Sequence, residues 1–585
     1  MRGEERLFRF IIHFYILASR KFAKITGDCS QGASSSKSVE VDTSIMKGII
    51  NRYILNISVL LLKLAFLVTV AGHVQAGQVA TPILRQTLPA SWDENWFGSP
   101  AVFDLDNDGD NEIIASRHSV TYVWDSSGTL VWRAPVGEES SSTNDHGSSR
   151  QYAAPVVGDF DGDGDGEIAI AYGNSVAVYE HNGFLLPGWP QTFPGTSGEV
   201  RSIAAADLDQ DGSVEILAVK TSNGPVTVAY HLDGSVVTGW PQVQNCDKCN
   251  DYGGYNQNIG AVDLDGDKLP EVISTYDISH IGIMYGDGSP VMANEIFWGT
   301  PSDPVPASGV PMFHDLSLAI QGWGSDGNSR DEFTDSPPVF GDIDGDGLPE
   351  VILYSDHELA GEYITRGNCL WVLNPDMTRI AGFESPICSG MPLYTGFQDN
   401  IVQVAPAPAL ADIAGDSRLE IIVPSYDGIM RAYTPDGTLL WSYTFDTSGG
   451  DFIGATGAVV GDLNSDGVVE IIFCTYSISQ NVSHLVILDA AGTELHKILL
   501  AKRGTMAPPT LADVDQDGDV EIVISLKDTL GGGLGGVQIW DVTTAMISKL
   551  PWPTGRGNML RNGQLNDPTS RSRSKIMPWL PLLLD

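Results

Sequence analysis

The sequence predicts an all-β fold, a β-propeller of four-stranded blades. A nine-residue acidic loop close to the pattern DxDxDGxxE occurs eight times between Asp104 and Glu521, and an apolar run follows each copy. Short runs of alternating polarity, separated by turns that contain glycine, complete four strands per copy. The copies recur along most of a 585-residue chain. Four antiparallel strands repeated every ~40 to 60 residues are typical of propeller blades.

Residues 152–190 show the order of strands within one repeat. An apolar run (153–158) leads into the acidic loop and a second run (167–172) leaves it. A Gly-Asn turn and an Asn-Gly turn then separate two further runs, which complete the unit. Eight loops predict eight blades, and seven is the alternative if one motif lies outside the ring. Residues 80–97 and 550–564 are the two segments expected to supply the strand that closes the last blade onto the first.

Each acidic loop has the composition of a calcium site. Calcium takes six to eight oxygen ligands, which side chains at loop positions 1, 3, 5 and 9 and a backbone carbonyl at position 7 can supply. Glycine at position 6 permits the positive φ that curls the loop around an ion. The strand-like flanks exclude an EF-hand, which needs a twelve-residue loop between helices.

Seven of the eight copies are predicted to hold calcium as structural ions. Their predicted ligand positions, from the first copy to the last of the seven, are Asp104, Asp106, Asp108, Asp110 and Glu112; Asp159, Asp161, Asp163, Asp165 and Glu167; Asp207, Asp209, Asp211, Ser213 and Glu215; Asp263, Asp265, Asp267, Leu269 and Glu271; Asp342, Asp344, Asp346, Leu348 and Glu350; Asp462, Asn464, Asp466, Val468 and Glu470; and Asp513, Asp515, Asp517, Asp519 and Glu521.

Three copies depart from the full pattern. The fourth has Lys268 where glycine is expected, which predicts a strained turn and weaker binding. The seventh has Asn464 at position 3, whose amide oxygen can still bind the ion. The sixth, DIAGDSRLE from position 412, has Ala414 and Ser417 at positions 3 and 6, so it is predicted to be weak or empty. Without a metal the crowded carboxylates would repel one another, and with it they join two strands.

The charge balance and the N-terminal region predict an extracellular protein. The formal net charge is −41, from 74 acidic and 33 basic residues, which opposes binding to nucleic acid or to anionic lipid surfaces. Basic residues, an apolar stretch and the small-residue site Val-Gln-Ala predict a signal peptide cut after Ala76, with a retained signal anchor as the alternative. No stable membrane span is expected in the mature chain, because the uninterrupted apolar stretches are too short. The predicted organisation is a disordered upstream extension (1–45), a signal peptide (46–76), the propeller (77–565) and a C-terminal tail (566–585).

Cysteines and tryptophans give further expectations about packing. Cys246 and Cys249 form a CDKC motif in which a local disulfide is favoured over a redox or zinc site. Cys369 and Cys388 flank one predicted strand pair, and Cys474 lies in an apolar run as a buried thiol. Tryptophans that end the blades are expected to pack between neighbouring blades; these are Trp132, Trp189, Trp240 and Trp441.

The acidic loops and their flanking strands resemble FG-GAP or VCBS repeats, whose best-known relative is the propeller of integrin α subunits. The resemblance covers about residues 100–552 and is specific in the calcium loop. It implies a calcium-binding propeller that is secreted or displayed at the cell surface and takes part in adhesion. Integrin propellers have seven blades, whereas eight loops here argue for eight.

The face opposite the acidic loops is predicted to bind the partner, an extracellular carbohydrate or protein. The long insertions precede innermost strands and therefore lie on that face, where loops on a rigid scaffold usually carry recognition. Residues expected around the channel mouth are Arg150, Arg201, Tyr255, Asn258, Asp399 and Arg503. The arginines can bind a carboxylate or sulfate group bidentately, or they can pair with Glu199 or Asp399 instead.

Two alternatives concern this same face. Aromatic residues of the insertions, among them Trp298, Phe313 and Trp323, either contact a ligand or pack their own loops. The enzyme alternative is a polysaccharide lyase or hydrolase that acts there, although the sequence has no GxSxG or HExxH motif. The sequence therefore favours a binding or adhesion module over an enzyme.

Overall fold

The eight-bladed propeller predicted from the sequence is confirmed. A computed structural model shows eight antiparallel sheets, each formed around one acidic loop. It describes residues 79–565 apart from short segments at 91–93, 95–96, 135–148, 196–197, 222–223, 243–252, 256, 300–302, 326–329, 359–364, 390–405, 426, 448–452, 478–479, 502, 528–534 and 547–548. Several predictions concern residues outside the described ranges. These are the upstream extension (1–45), the signal peptide (46–76), the C-terminal tail (566–585), Cys246, Cys249 and Asp399.

The first four blades follow one another along the chain, from innermost to outermost strand. Blade 1 comprises Ala101–Phe103, Glu112–Arg117, Val120–Trp124 and Leu130–Ala134. Blade 2 comprises Val156–Gly158, Glu167–Tyr172, Ser175–Tyr179 and Gln191–Thr192. Blade 3 comprises Val200–Ala206, Glu215–Lys220 and Thr227–Tyr230, and blade 4 comprises Ile259–Val262, Glu271–Thr275 and Ile281–Met284. Isolated bridges occupy the outermost position of blades 3 and 4.

The second half of the ring is built in the same way. Blade 5 comprises Val339–Gly341, Glu350–Glu358, Thr365–Leu373 and Ile387–Cys388, with Arg330–Glu332 paired to the far end of its second strand. Blade 6 comprises Ala409–Ala411, Glu420–Pro424, Ile429–Tyr433 and Leu439–Thr444. Blade 7 comprises Ile453–Ala455, Val459–Gly461, Glu470–Ser477, His484–Leu488 and Glu494–Leu499. Short helices lie only within the blade 4 to blade 5 connection of the described chain: 3-10 turns Glu295–Phe297 and Ala307–Gly309, and the α-helix Leu316–Gln321.

Blade 8 closes the ring with a strand from the start of the propeller. Its first three strands are Thr510–Ala512, Asp519–Leu526 and Gly536–Met546, and Ile83–Leu88 pairs antiparallel with the last of these. The segment 80–97 therefore supplies the closing strand, which confirms one of the two candidates named from the sequence. The other candidate, 550–564, forms no strand and has a different position.

Residues 549–565, here called the central segment, lie against the innermost strands of the ring. In six blades the backbone N–H two residues before the first aspartate donates to a carbonyl of this segment, at 2.8–3.0 Å. The six donors are Val157, Ala205, Ala261, Phe340, Val460 and Leu511. An innermost strand leaves one edge of its backbone unpaired within its own sheet, and the central segment satisfies that edge. The centre of the ring is therefore filled with chain.

Two arginines of the central segment are buried and bond to neutral oxygens. Arg561, fully buried, donates to Pro155, Gly555, Ser99 and Pro100 carbonyls and to the Thr554 hydroxyl, at 2.6–3.3 Å. Arg556 donates to the carbonyls of Ile203 and Ile259 and to the side chain of Gln257. Burial lowers the pKa of Arg561 to about 9. These bonds join the central segment to blades 1 to 4.

Tryptophans link neighbouring blades, as predicted. In each case the indole N–H donates to a backbone carbonyl of the next blade's outer turn, at 2.7–3.0 Å. The four pairs are Trp132 with His181, Trp189 with Leu232, Trp240 with Gly286, and Trp441 with Ala490. A buried indole needs a partner for its N–H, and the turn of the adjacent blade provides one.

The apolar core lies between the blades. Second strands such as Glu167–Tyr172 are buried along their whole length, because both faces pack on neighbouring sheets. Cys369 and Cys388 form a disulfide between the last two strands of blade 5, and Cys474 is a buried free thiol as predicted. Among the described residues, no helix reaches the length and hydropathy that a membrane crossing requires.

We expect Arg561→Ala to lower the free energy of unfolding by at least about 3 kcal/mol, because it removes a buried cation with five hydrogen bonds and leaves buried carbonyls unpaired. Arg418→Ala is the matched control, since Arg418 is exposed and pairs only with Asp416, and it should change stability by at most about 0.5 kcal/mol. Urea unfolding monitored by tryptophan fluorescence measures both. Equal effects of the two substitutions would contradict the role given to the central segment.

Candidate functional site

The eight acidic loops share one hydrogen-bonded framework. In every copy the position 9 glutamate accepts a hydrogen bond from the backbone N–H of position 2, at 2.6–2.9 Å. The carboxylate at position 5 accepts one from the N–H of position 7 in every copy, at 2.7–3.1 Å. The position 2 side chain is apolar and buried, as Leu105 and Phe160 show. The buried position 2 side chain thus anchors the loop in the core, and the carboxylates at positions 5 and 9 point towards the backbone of their own loop.

Two positions of each loop are left-handed. Position 6 has a positive φ in all eight copies, including Lys268 (φ 79°) and Ser417 (φ 70°), of which only the strained turn at Lys268 was predicted. Position 4 also has a positive φ in all eight copies; it is 54° at Asn107 in the first copy and 55° at Gln516 in the last. This second left-handed position was not predicted from the sequence. The sequence contained a signal for it, because position 4 is Asn, Gly, Gln or Ser in every copy, and Asn and Gly adopt the left-handed conformation most readily.

The loops present oxygen atoms to a common centre. Carboxylate oxygens of three ligand positions lie within 4.8 Å of one another in the first four copies, for example those of Asp159, Asp161 and Glu167. The position 1 residues Asp104, Asp207 and Asp513 each have a buried Oδ1 without a hydrogen-bond partner. Buried acceptors are normally satisfied, so these oxygens indicate a missing donor or cation. An all-oxygen, carboxylate-rich set is suited to a hard divalent cation.

Burial raises the pKa of the position 9 glutamates. Burial is the main cause, and the neighbouring loop aspartates add to it. The pKa rises to about 7 for Glu112, Glu271 and Glu350. It rises to about 8 for Glu167, Glu470 and Glu521. A bound cation would favour the charged form of these groups and so reverse the effect.

Protein cations enter two of the loops. In the sixth copy Arg418 pairs with Asp416 through a guanidinium N–H at 2.8 Å, consistent with its predicted loss of metal binding. In the eighth copy Arg85 of the closing strand pairs with Asp515 and with Asp541, the latter at 3.0 Å, and lies 3.6 Å from Glu521. The sequence could not reveal the second case, because Arg85 lies more than 400 residues before the loop.

A cluster of arginines and tyrosines lies where blades 2, 3 and 4 begin their innermost strands, opposite the acidic loops. The guanidinium of Arg201 is 3.9 Å from the ring centre of Tyr152 and 5.4 Å from that of Tyr255. The guanidinium of Arg150 is 5.3 Å from the Tyr152 ring. We call Arg150, Tyr152, Arg201 and Tyr255 the Arg–Tyr cluster; all four side chains are partly exposed.

Existing contacts hold the two arginines. Arg201 pairs with the half-exposed Glu199 at 2.5 Å and 2.9 Å, which was one of the two arrangements the sequence allowed. Arg150 donates to the carbonyl of Glu94 at 3.0 Å. Glu94 is itself fully buried and paired with Lys527 at 2.7 Å, an ion pair that sequence spacing could not have predicted. The cluster is therefore anchored on one side and open to solvent on the other.

Two further predicted ligand residues, Asn258 and Arg503, lie in other surroundings. Asn258 is fully buried, and its amide donates to Thr275 and to the Phe333 carbonyl, each at 2.7 Å, so it supports the fold instead of facing a ligand. Arg503 lies in blade 7's connection to blade 8, and its carbonyl accepts from Ser477. Asp399 lies outside the described residues.

Aromatic residues of the long insertion before blade 5 pack within their own loop. Trp323 donates its indole N–H to the Gly309 carbonyl at 2.9 Å and lies edge-on to Phe313. Trp298 donates to the Ala293 carbonyl at 3.1 Å. Phe313 is 2% exposed. Of the two possibilities for these residues, the structure supports packing.

Comparison with protein families supports the repeat assignment. A family profile described as an FG-GAP-like repeat matches residues 104–170 and 159–218. None of the curated proteins matches the chain. Among solved structures, the biofilm matrix protein Bap1 of V. cholerae is 14% identical with a TM-score of 0.40, over 83% of this chain and 96% of that one. The rhamnogalacturonan lyase YesW is 16% identical with a TM-score of 0.47, over 84% and 81%.

A rhamnogalacturonan lyase of Bacillus licheniformis is 15% identical with a TM-score of 0.45, over 82% of this chain and 81% of that one. At these identities the three matches carry no inference about activity. The repeat match and the eight sheets, each formed around one acidic loop, agree with the resemblance drawn from the sequence. The chain is an eight-bladed β-propeller that carries FG-GAP-like repeats.

Proposed function

We propose that this chain is a secreted or surface-displayed, calcium-stabilised propeller that binds a carbohydrate or protein ligand as an adhesion module. The observation that carries the proposal is the Arg–Tyr cluster, which three adjacent blades assemble on the face opposite the acidic loops. Export rests on the predicted signal peptide at 46–76. Calcium rests on the oxygen-rich loops and on the resemblance to FG-GAP propellers.

The chemistry of the cluster favours a ligand that bears a carboxylate. The N–H edge of a guanidinium group binds carboxylates, and the edge of Arg201 already donates two hydrogen bonds to the Glu199 carboxylate. The rings themselves offer apolar faces to a sugar or a peptide. Glu199 already pairs with Arg201, so an incoming carboxylate would displace a half-exposed side chain. Uronate-containing glycans and acidic peptides are the ligand classes that fit.

The central segment bears on how a ligand approaches. It fills the middle of the ring and bonds to the innermost strands of six blades. A ligand would therefore rest on the rim of the propeller, on the cluster and the insertions, and would not enter a channel. Surface recognition by a rigid scaffold suits adhesion, in which large partners meet without being enclosed.

We expect Arg201→Gln to weaken binding to uronate-containing glycans at least tenfold on a glycan and protein array. Arg418→Gln is the matched control, because Arg418 also pairs with a carboxylate two residues earlier but lies in an acidic loop. It should leave binding unchanged. Retained binding in Arg201→Gln would place the ligand elsewhere. Uronate polymers that bind without a rise in ultraviolet absorbance would separate binding from an elimination reaction.

Calcium binding is tested by removing one carboxylate from a complete loop and from the degenerate one. Asp159→Asn should lower the number of bound calcium ions by one, whereas Asp412→Asn, at the same position of the sixth loop, should leave it unchanged. Calcium at 100-fold its Kd stabilises the native state by about 2.7 kcal/mol per site, so chelation should lower the unfolding temperature markedly. Calorimetric titration and thermal unfolding measure the two effects. An unchanged melt in excess chelator would refute the stabilising role.

The metal-free protein should lose stability as pH rises from about 4.5 to about 8. Six of the position 9 glutamates have a folded pKa of about 7 to 8, above the ordinary value near 4.3, and the pKa of the other two, Glu215 and Glu420, is also raised, so the folded state binds more protons than the unfolded state in this range. Stability then falls with rising pH. With calcium present the ionised form is favoured, and the decline should disappear. Thermal unfolding in chelator between pH 5 and 8 measures this, and a flat or rising curve would contradict it.

A further inference from the structure

A second cluster of metal-ligating side chains lies in blade 5, away from the acidic loops and the Arg–Tyr cluster. The His314 Nε2 atom lies 2.8 Å from the Asp331 Oδ1 atom, and the His357 Nδ1 atom lies 2.9 Å from the same oxygen. The two imidazole rings stack with centroids 4.6 Å apart. We call His314, Asp331 and His357 the His–Asp–His cluster.

The fold places these three residues side by side. Asp331 and His357 are register partners in neighbouring antiparallel strands. Phe313, the residue before His314, forms a bridge with Arg330 on the other side of the same strand. The cluster thus spans three adjacent segments of backbone. His357 is seven residues beyond Glu350 on one strand, which separates the cluster from the nearest acidic loop by roughly 23 Å.

Asp331 is held so that one oxygen faces the histidines. Its side chain is fully buried, and Oδ2 accepts hydrogen bonds from Ser355 Oγ at 2.7 Å and from Trp371 Nε1 at 2.6 Å. Burial alone would raise the pKa of Asp331, but the hydrogen bonds from the two histidines outweigh it and the pKa is lowered. A carboxylate whose second oxygen is held by two other donors is the outer-shell arrangement seen around metal ligands.

The histidines are reachable from solvent although Asp331 is not. Their side chains are 18% and 17% exposed, against 0% for Asp331. A cation would therefore arrive at the imidazole edge and reach the carboxylate from there. The nearby Cys369 is joined to Cys388, so its sulfur is not a thiolate ligand in this structure. Three protein ligands remain, and water would complete a tetrahedral set.

We propose that the His–Asp–His cluster is a binding site for a late first-row divalent cation such as Zn²⁺, chemically distinct from the acidic loops. Two imidazole nitrogens and one carboxylate oxygen suit zinc, with bonds of about 2.0–2.2 Å, whereas calcium prefers oxygen ligands alone. The three ligand atoms lie within 4.8 Å of one another, so small rotations of the histidines bring them to one ion. This inference does not depend on the proposed function.

The test uses the full chain, stripped with chelator and then held in excess calcium so that the acidic loops are occupied by their preferred ion. Calorimetric titration with Zn²⁺ alone should then reveal one equivalent, and Co²⁺ should give the visible absorption of a nitrogen-ligated tetrahedral ion. His314→Asn and His357→Asn should each weaken Zn²⁺ binding at least tenfold. His484→Asn, a partly buried histidine in blade 7, is the matched control and should bind as the unmodified protein does.

Substitution of Asp331 is avoided, because it accepts four buried hydrogen bonds and the variant would not distinguish misfolding from lost binding. Calcium-loaded unfolding temperatures of the histidine variants verify that they fold. No zinc binding in excess calcium, or zinc binding that survives His314→Asn and His357→Asn together, would overturn the proposal and leave the cluster as a hydrogen-bonded brace of blade 5.

Discussion

The propeller depends on the hydrogen bonds between its innermost strands and the central segment. A closed ring of sheets leaves one edge of every innermost strand facing the middle, and an unpaired buried N–H costs about 1–3 kcal/mol. Residues 549–565 satisfy this edge at the equivalent position of six blades. Arg561 and Arg556 extend the same function to carbonyl groups of blades 1 to 4. The ring can therefore be closed and solid at its centre without an apolar plug.

The acidic loops and the Arg–Tyr cluster lie on opposite faces of the ring, whose centre is filled by the central segment. The acidic loops join the first two strands of each blade, and their glutamate-to-backbone bonds form the same framework in all eight copies. A cation would add to a geometry that the chain already adopts, and the sixth copy accordingly keeps the loop without the full ligand set. The opposite rim carries the arginines and tyrosines. The proposed metal sites and the proposed ligand site thus share no residues.

The features that were predictable from the sequence are local and periodic. The acidic loops, their flanking strands and the blade-linking tryptophans repeat at short range, so each copy supports the interpretation of the others. The segment 550–564 was expected to supply a closing strand, and its actual role was not predicted because it bonds through backbone carbonyls, which any residue provides, and because it occurs once. Asn258 was misplaced for a related reason: an amide near the channel mouth can face a ligand or satisfy buried groups, and sequence alone does not distinguish the two. Tertiary structure alone brings some pairs of residues into contact, so these pairs could not be predicted from the sequence. Examples are Arg85 with Asp515 and His314 with His357.

The two segments that complete the ring come from its opposite ends. The strand Ile83–Leu88 can pair only after Gly536–Met546 has been synthesised. The central segment is the last part of the propeller to be synthesised. During translation, seven sheets can form while the first strand has no partner and the inner edges remain uncovered. Uncovered strand edges promote association with other chains. Folding of the ring is thus expected to finish only after the central segment has left the ribosome, and a nascent chain stalled before residue 549 would be the form most prone to aggregate.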